Sequence, residues 1–185
     1  MFNFLTITLD KTREVNHVRT LPPFCHLPRL FFLYKRYEKY LHDDYTEKMN
    51  FKQFITLAVN NRFFWLITEK LSGNPAGFVY LDNITGNDTN LYSAEITTCF
   101  EKSYWGEKTH ICAMEFFELI FKKFGFYKIR AQIYPQNFRV KTLLKKCGFI
   151  KECTLKNETM LNGKLQDIEL YALFNKKKCE ELNEN

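Results

Sequence analysis

The chain has 185 residues, 45% of them apolar, and carries a formal net charge of +6. Its 19 phenylalanines supply a sizeable core, which excludes a disordered chain, and no apolar run approaches the ~20 residues a membrane-spanning helix needs. The moderate positive charge permits nucleic acid, an acidic protein surface or a polyphosphate cofactor as partner, and does not choose among them.

The chain opens Met1-Phe2-Asn3-Phe4-Leu5-Thr6, which lacks a basic region followed by an apolar core, so no secretory leader is expected. Leu30, Leu33, Tyr34, Tyr37 and Leu41 recur at helical spacing and predict a first helix over 30–41. Asn50 followed by Gln53 has the form of a capping box. Phe51, Phe54, Ile55 and Ala58 then make one helical face. Three strands are predicted next, Phe63–Thr68, Ala76–Leu81 and Tyr92–Phe100, separated by the turns Ser72-Gly73-Asn74-Pro75 and Gly86-Asn87-Asp88.

Directly after the third strand comes Tyr104-Trp105-Gly106-Glu107-Lys108-Thr109-His110, which enters a helix expected over 107–123. Ala113, Phe117, Ile120, Phe121 and Phe124 are its expected buried residues, and Gly125 follows as its stop. A helix starting straight after a strand is a ready anion site. Its first backbone N–H groups lack intrahelical partners, and its dipole adds positive potential. Lys128–Tyr134 reads as a strand. Asn137 then caps a helix whose Val140, Leu143, Leu144 and Cys147 share one face. Phe149–Met160 and Lys164–Phe174 flank Asn162-Gly163, a two-residue hairpin turn. Lys176-Lys177-Lys178 lies among polar residues, and 176–185 is read as a flexible, solvated tail.

The six cysteines show no C-x-x-C spacing and no nearby histidine pairs. Structural thiols in a reducing cytoplasm are expected, with no zinc site. The element order predicts one domain over 1–185, a mixed α/β fold. The strands before and after the 107–123 helix should lie parallel.

This order and four of its segments resemble the GNAT superfamily of N-acetyltransferases, in particular its ribosomal-protein N-acetyltransferase branch, the RimJ/RimL-like group. Ala94-Glu95-Ile96 opens the strand before the loop, and Tyr104-Trp105-Gly106 resembles the branch's YWG-x-G. Pro135, Asn137, Leu143, Leu144 and Cys147-Gly148-Phe149 follow its PxNxxSxxLLxxxGF segment. Glu152, Leu155, Gly163-Lys164, Asp167 and Tyr171 follow the spacing of its last hairpin. The resemblance covers roughly the last 110 residues closely and the first 60 by topology.

It implies a mostly antiparallel sheet with a central splayed parallel pair, helices on both faces, and acetyl-CoA as cosubstrate without a metal. Backbone groups of Thr97, Thr98 and Cys99 would pair with the pantetheine arm. Tyr104, Trp105, Gly106, Glu107, Lys108 and Thr109 would form the pyrophosphate loop, with Asn137 a further cofactor contact. The reaction would be direct attack of a primary amine in a ternary complex. Glu95 would act as base, the Cys99 N–H as oxyanion donor and Tyr134 as a substitute acid. The acceptor would be a protein N-terminus or a small molecule. A homodimer is one expected assembly, and neither a membrane nor nucleic acid is an expected partner.

The sequence departs from the pattern in two places. Lys108 stands where the family's loop has a second small residue. Val140 and Leu144 stand where serine and a proton-donating tyrosine are usual. These departures frame a second expectation, a weak or inactive member that binds a protein or nucleic-acid partner. Each singled-out residue also has a plainer role. Asn137 serves as an N-cap, Glu95 as a strand or ion-pair residue, and His110 as a surface histidine. Trp105 would pack under the loop, Tyr34, Tyr37 and Tyr40 would form core and rim, and His42-Asp43-Asp44 would be a metal set lacking a second ligand pair.

Overall fold

A computed structural model describes residues 1–6, 23–87 and 90–183. Among these residues, seven strands, β1 (Phe2–Thr6), β2 (Phe64–Glu69), β3 (Pro75–Gly86), β4 (Leu91–Phe100), β5 (Lys128–Ile133), β6 (Ile150–Leu161) and β7 (Lys164–Phe174), form one sheet in the order β1-β2-β3-β4-β5-β7-β6. The sheet is mostly antiparallel, with β4 and β5 parallel, as the expected fold requires. Among the described residues, five α-helices accompany it: α1 (Leu27–Leu41), α2 (Phe51–Asn60), α3 (Glu107–Phe124), α4 (Phe138–Lys146) and α5 (Lys176–Asn183). Among the described residues, no helix is long and apolar enough to cross a membrane.

The chain divides into two compact units. One comprises Met1–His42, Thr46–Tyr80 and Thr98–Trp105, the other Asp43–Tyr45, Leu81–Thr97 and Gly106–Asn185. The first unit is built on aromatic packing. Leu27, Leu30, Leu33 and Tyr34 of α1 are buried with Phe54 of α2 and with Phe64 and Phe78 of the strands. Phe54 meets the rings of Phe64 and Phe78 edge-on, at 6.0 and 5.5 Å between centroids. The predicted capping box is present, with Gln53 N donating to Asn50 Oδ1 and Asn50 N to Gln53 Oε1. The Tyr34 hydroxyl accepts from Met49 N at 3.0 Å and lies 2.7 Å from His42 Nε2, joining the end of α1 to the approach to α2. Burial pushes that hydroxyl up to about 12. A Cβ on Gly77 would stand 2.1 Å from the Cys99 carbonyl oxygen, so only glycine permits the approach of β3 to β4 here.

Strand β1 was not legible as a strand. Its five residues carry no turn signal, and it pairs antiparallel with β2, more than fifty residues away in sequence, from Phe2↔Glu69 to Thr6↔Trp65.

In the second unit, α3 is buried through Cys112, Phe116, Phe117 and Ile120, with Thr109 in its first turn. The expected stripe of Ala113, Phe117, Ile120, Phe121 and Phe124 is thus rotated by about one residue. Ala113, Phe121 and Phe124 are only half-buried. Consecutive apolar residues such as Phe116-Phe117 allow two helical faces to satisfy the same periodicity. Phe117 packs edge-on against Phe149 at 5.2 Å.

On β5, buried Ile129, Ala131 and Ile133 alternate with more exposed residues. Asn162 and Gly163, at φ of 52° and 70°, make the predicted hairpin turn, whose two N–H groups donate to the Asp44 carboxylate at 3.0 and 2.8 Å. The segment read as a tail contains α5 instead. Lys178 Nζ donates to the Gly125 carbonyl at the end of α3 (2.6 Å) and to Asn90 Oδ1 (2.9 Å). A lysine at a helix C-terminus satisfies a carbonyl the helix leaves over.

Candidate functional site

The second unit contains the feature that matters most. The parallel strands pair from Ser93↔Lys128 through Ala94↔Ile129 to Glu95↔Arg130, and there their pairing ends. β5 continues to Ile133, paired with β7 up to Glu169, while β4 runs on past Glu95. Beyond the last pair, Ile96 and Thr97 have no register partner on β5. This is the splayed pair that the resemblance implies.

Glu95 is half-buried at the last paired position. Its Oε2 accepts from Gln132 Nε2 at 3.0 Å and from Asn83 Nδ2 at 3.1 Å. It makes no ion pair among the described residues, so the salt-bridge role weighed above does not apply. Arg130, its direct register partner, donates Nη2 to the Asn83 carbonyl at 3.3 Å instead. Asp82 lies next in sequence to Asn83. Burial first, and then the charge of Glu95, push its carboxyl up to about 6. Asp82, Asn83 and Gln132 escaped the sequence reading. The only available signal was the polar alternation of Arg130 and Gln132 on β5.

Tyr134, just past β5, is half-buried. Its hydroxyl is raised above its ordinary range by burial, then by the Asp43 and Asp44 carboxylates. Asp43 accepts from the buried Thr159 hydroxyl, and Asp44 holds the hairpin turn. Both carboxylates therefore serve the hairpin. No group of three metal-ligating side chains occurs among the described residues.

Helix α3 begins at Gly106, whose φ of 89° and ψ of −126° suit glycine alone, and a Cβ there would meet nothing within 4 Å. The N-cap residue is a glycine and has no side chain of its own to bond the first N–H groups. A glycine-made approach to a helix N-terminus fits an anionic group such as a pyrophosphate. Glu107 points its carboxylate at His110 (3.4 Å) and Lys146 (3.9 Å) at the surface, and Lys108 is exposed. Asn137 caps α4, accepting from Val140 N at 3.3 Å. Leu144 is buried on α4 and Val140 half-buried, and neither side chain has a proton to give.

The remaining predicted site residues belong to the first unit. Thr98 is exposed. Cys99 is buried, its Sγ 4.0 Å from the Leu33 carbonyl and its thiol pushed up to about 12 by burial, which removes it as a nucleophile. Tyr104 is buried with its ring edge-on to Phe2. Trp105 donates Nε1–H to the Phe100 carbonyl at 3.0 Å and lies 5.5 Å from the Tyr37 ring. Both aromatic side chains are packing, and both backbone N–H groups are engaged, Tyr104 N donating to the Glu101 carbonyl at 2.9 Å and Trp105 N to the Lys102 carbonyl at 3.1 Å.

A sheet opened at one parallel pair, with a glycine-started helix following the opened strand, is the arrangement that the resemblance implies. Residues 20–150 match the acetyltransferase (GNAT) domain family, and the chain belongs to that family. Acetyltransferases of this family use acetyl-CoA. The fold is shared with the ribosomal-protein-S5-alanine acetyltransferase of Vibrio fischeri, at 19% identity and a TM-score of 0.63 over 80% of this chain and 86% of that one. The spermidine N-acetyltransferase of Vibrio cholerae, solved with CoA and spermine, aligns at 19% identity and a TM-score of 0.68 over 84% and 93%. A GNAT-family acetyltransferase from Bacillus anthracis aligns at 16% and 0.57 over 68% and 75%. The search of curated proteins finds no match.

Proposed function

We propose that this acetyltransferase moves the acetyl group of acetyl-CoA to a primary amine by direct attack within a ternary complex. We place it nearest the ribosomal-protein N-acetyltransferase branch. The observation that carries the reading is the parting of β4 from β5 at Glu95↔Arg130, with a carboxylate at the point of parting. The cosubstrate supplies a thioester carbonyl. The protein must deprotonate an ammonium, donate to an oxyanion and protonate a thiolate.

Glu95 takes the ammonium proton, directly or through water. The Cys99 backbone N–H serves the oxyanion. Tyr134 stays protonated through neutral pH because burial and two nearby carboxylates resist its ionisation, and this is the condition for a general acid. Gly106 to Thr109 hold the pyrophosphate with backbone N–H groups, aided by Asn137, while Tyr104 and Trp105 shape the entry to that loop. Thr97 and Thr98 pair with the pantetheine arm. The chain works in the cytoplasm, and its acceptor is a protein N-terminus or a small amine.

Lys108 and Leu144 favour a second reading, a member that binds a partner and turns over slowly or not at all. A thermal-shift titration separates the two. At a hundred times its Kd, acetyl-CoA stabilises by about 2.7 kcal/mol. No shift at millimolar acetyl-CoA rejects the enzyme reading. Free-thiol release across a panel of primary amines then identifies the acceptor class.

A further inference from the structure

Glu95 ends the paired stretch of β4 with one oxygen engaged and one open. Oε2 receives Asn83 Nδ2 and Gln132 Nε2, at 3.1 and 3.0 Å. A carboxylate only accepts, so both amides must turn their NH2 groups towards it, which fixes their orientation without ambiguity. Oε1 has no hydrogen bond among the described residues. Two donors on one oxygen prevent the carboxylate from rotating, and the other oxygen is left as the reactive one.

The surroundings serve the same end. Gln132 lies two residues beyond Arg130, on the same face of β5, and reaches Glu95 diagonally. Asn83 has a φ of 45°, a left-handed backbone that asparagine tolerates better than most residues. Its carbonyl takes Arg130 Nη2 at 3.3 Å. The guanidinium that stands directly opposite Glu95 is thereby bonded to a neutral carbonyl and kept off the carboxylate. An ion pair would favour the charged carboxylate and make it a poor proton acceptor. Asp82 on β3 and Arg130 on β5 are charged groups near Glu95, and neither shows a hydrogen bond or ion pair to it among the described residues.

We infer that Asn83 and Gln132 are positioning residues, a pair of amide donors that holds Oε2 of Glu95 so that Oε1 takes the proton of the attacking amine. The inference rests on the reading of Glu95 as base. Full-length Glu95→Gln, Gln132→Leu, Gln132→Glu and Asn83→Gly proteins are to be assayed with the amine giving most turnover in the panel above. Asn83→Gly keeps the left-handed backbone and removes only the amide. Thermal midpoints near that of the natural protein confirm folding.

Gln132→Leu is expected to lower kcat about tenfold with the KM for acetyl-CoA within about twofold, since a lost hydrogen bond to a charged group has about this effect. Asn83→Gly is expected to do the same. Gln132→Glu sets a second carboxylate beside the first and moves the acid limb of the pH–rate profile upward by about a unit. A damaged Glu95→Gln alongside Gln132 and Asn83 variants with the natural kcat and pH profile overturns the clamp alone. An undamaged Glu95→Gln, or no turnover with any amine, overturns the base and the clamp together.

Discussion

Two glutamates lie little exposed on strands of the second unit, and their partners set them apart. Glu169 on β7 is buried among cations. Lys151 and Lys141 reach it at 2.8 and 2.9 Å, and the Tyr171 hydroxyl donates at 3.2 Å. The lysines, Lys151 first, hold its carboxyl down to about 2. Glu95 on β4 meets two neutral amides and no cation among the described residues. The first arrangement fixes a charge, and the second fixes an orientation. A strand glutamate read from sequence alone fits either use, and its neighbours across the sheet decide which.

The sharpest way to break this comparison is to neutralise each glutamate in turn. Glu95→Gln is expected to lower turnover by about a hundredfold or more, the range for losing a general base, with acetyl-CoA affinity unchanged. Steady-state thiol release and a binding titration check it, and natural turnover removes Glu95 from the mechanism. Glu169→Gln should act on stability instead, costing about 1–2 kcal/mol in urea unfolding because two lysines lose their counter-charge. The folded-state value of Glu169 is depressed, so its stabilisation is complete above about pH 4.5 and fades as pH falls towards 2. The gap between natural and variant proteins should close over that window. A gap independent of pH contradicts the ion-pair account.

Asp82 gives the smallest effect and the opposite sign. Its carboxyl is raised to about 6, so holding it ionised in the fold is a penalty that is full above pH 6 and absent below about 3.8. Asp82→Asn should therefore stabilise the protein at pH 7, by about 1 kcal/mol once solvent screening is allowed for. The gain should vanish by pH 4. A loss of stability at pH 7 would show that Asp82 makes a favourable contact as an anion.

Much of the fold was legible because its signals are local. Asn50 and Gln53 cap α2 as their spacing implied, Asn162-Gly163 turns the last hairpin, and Gly125 ends α3. Glu95 could be singled out as a carboxylate on the strand before a loop. Its clamp could not, because Asn83 and Gln132 lie 12 and 37 residues away and meet it only through the register of three strands. The same limit hid β1, which is a strand only by virtue of β2. It also hid α5, whose Lys178 finds its partners at the end of α3 and in the loop before β4.

The division of the chain has a consequence for how the protein can be taken apart. The polypeptide passes between its two compact units after residues 42, 45, 80, 97 and 105, and both β3 and β4 are cut by these passages. Asp43–Tyr45 belongs with the later unit although the chain around it builds the earlier one. No single break separates the units, so neither is one continuous stretch of the sequence. Insertion and permutation are expected at loop tips, and β4, which contributes residues to both units, is inherited whole.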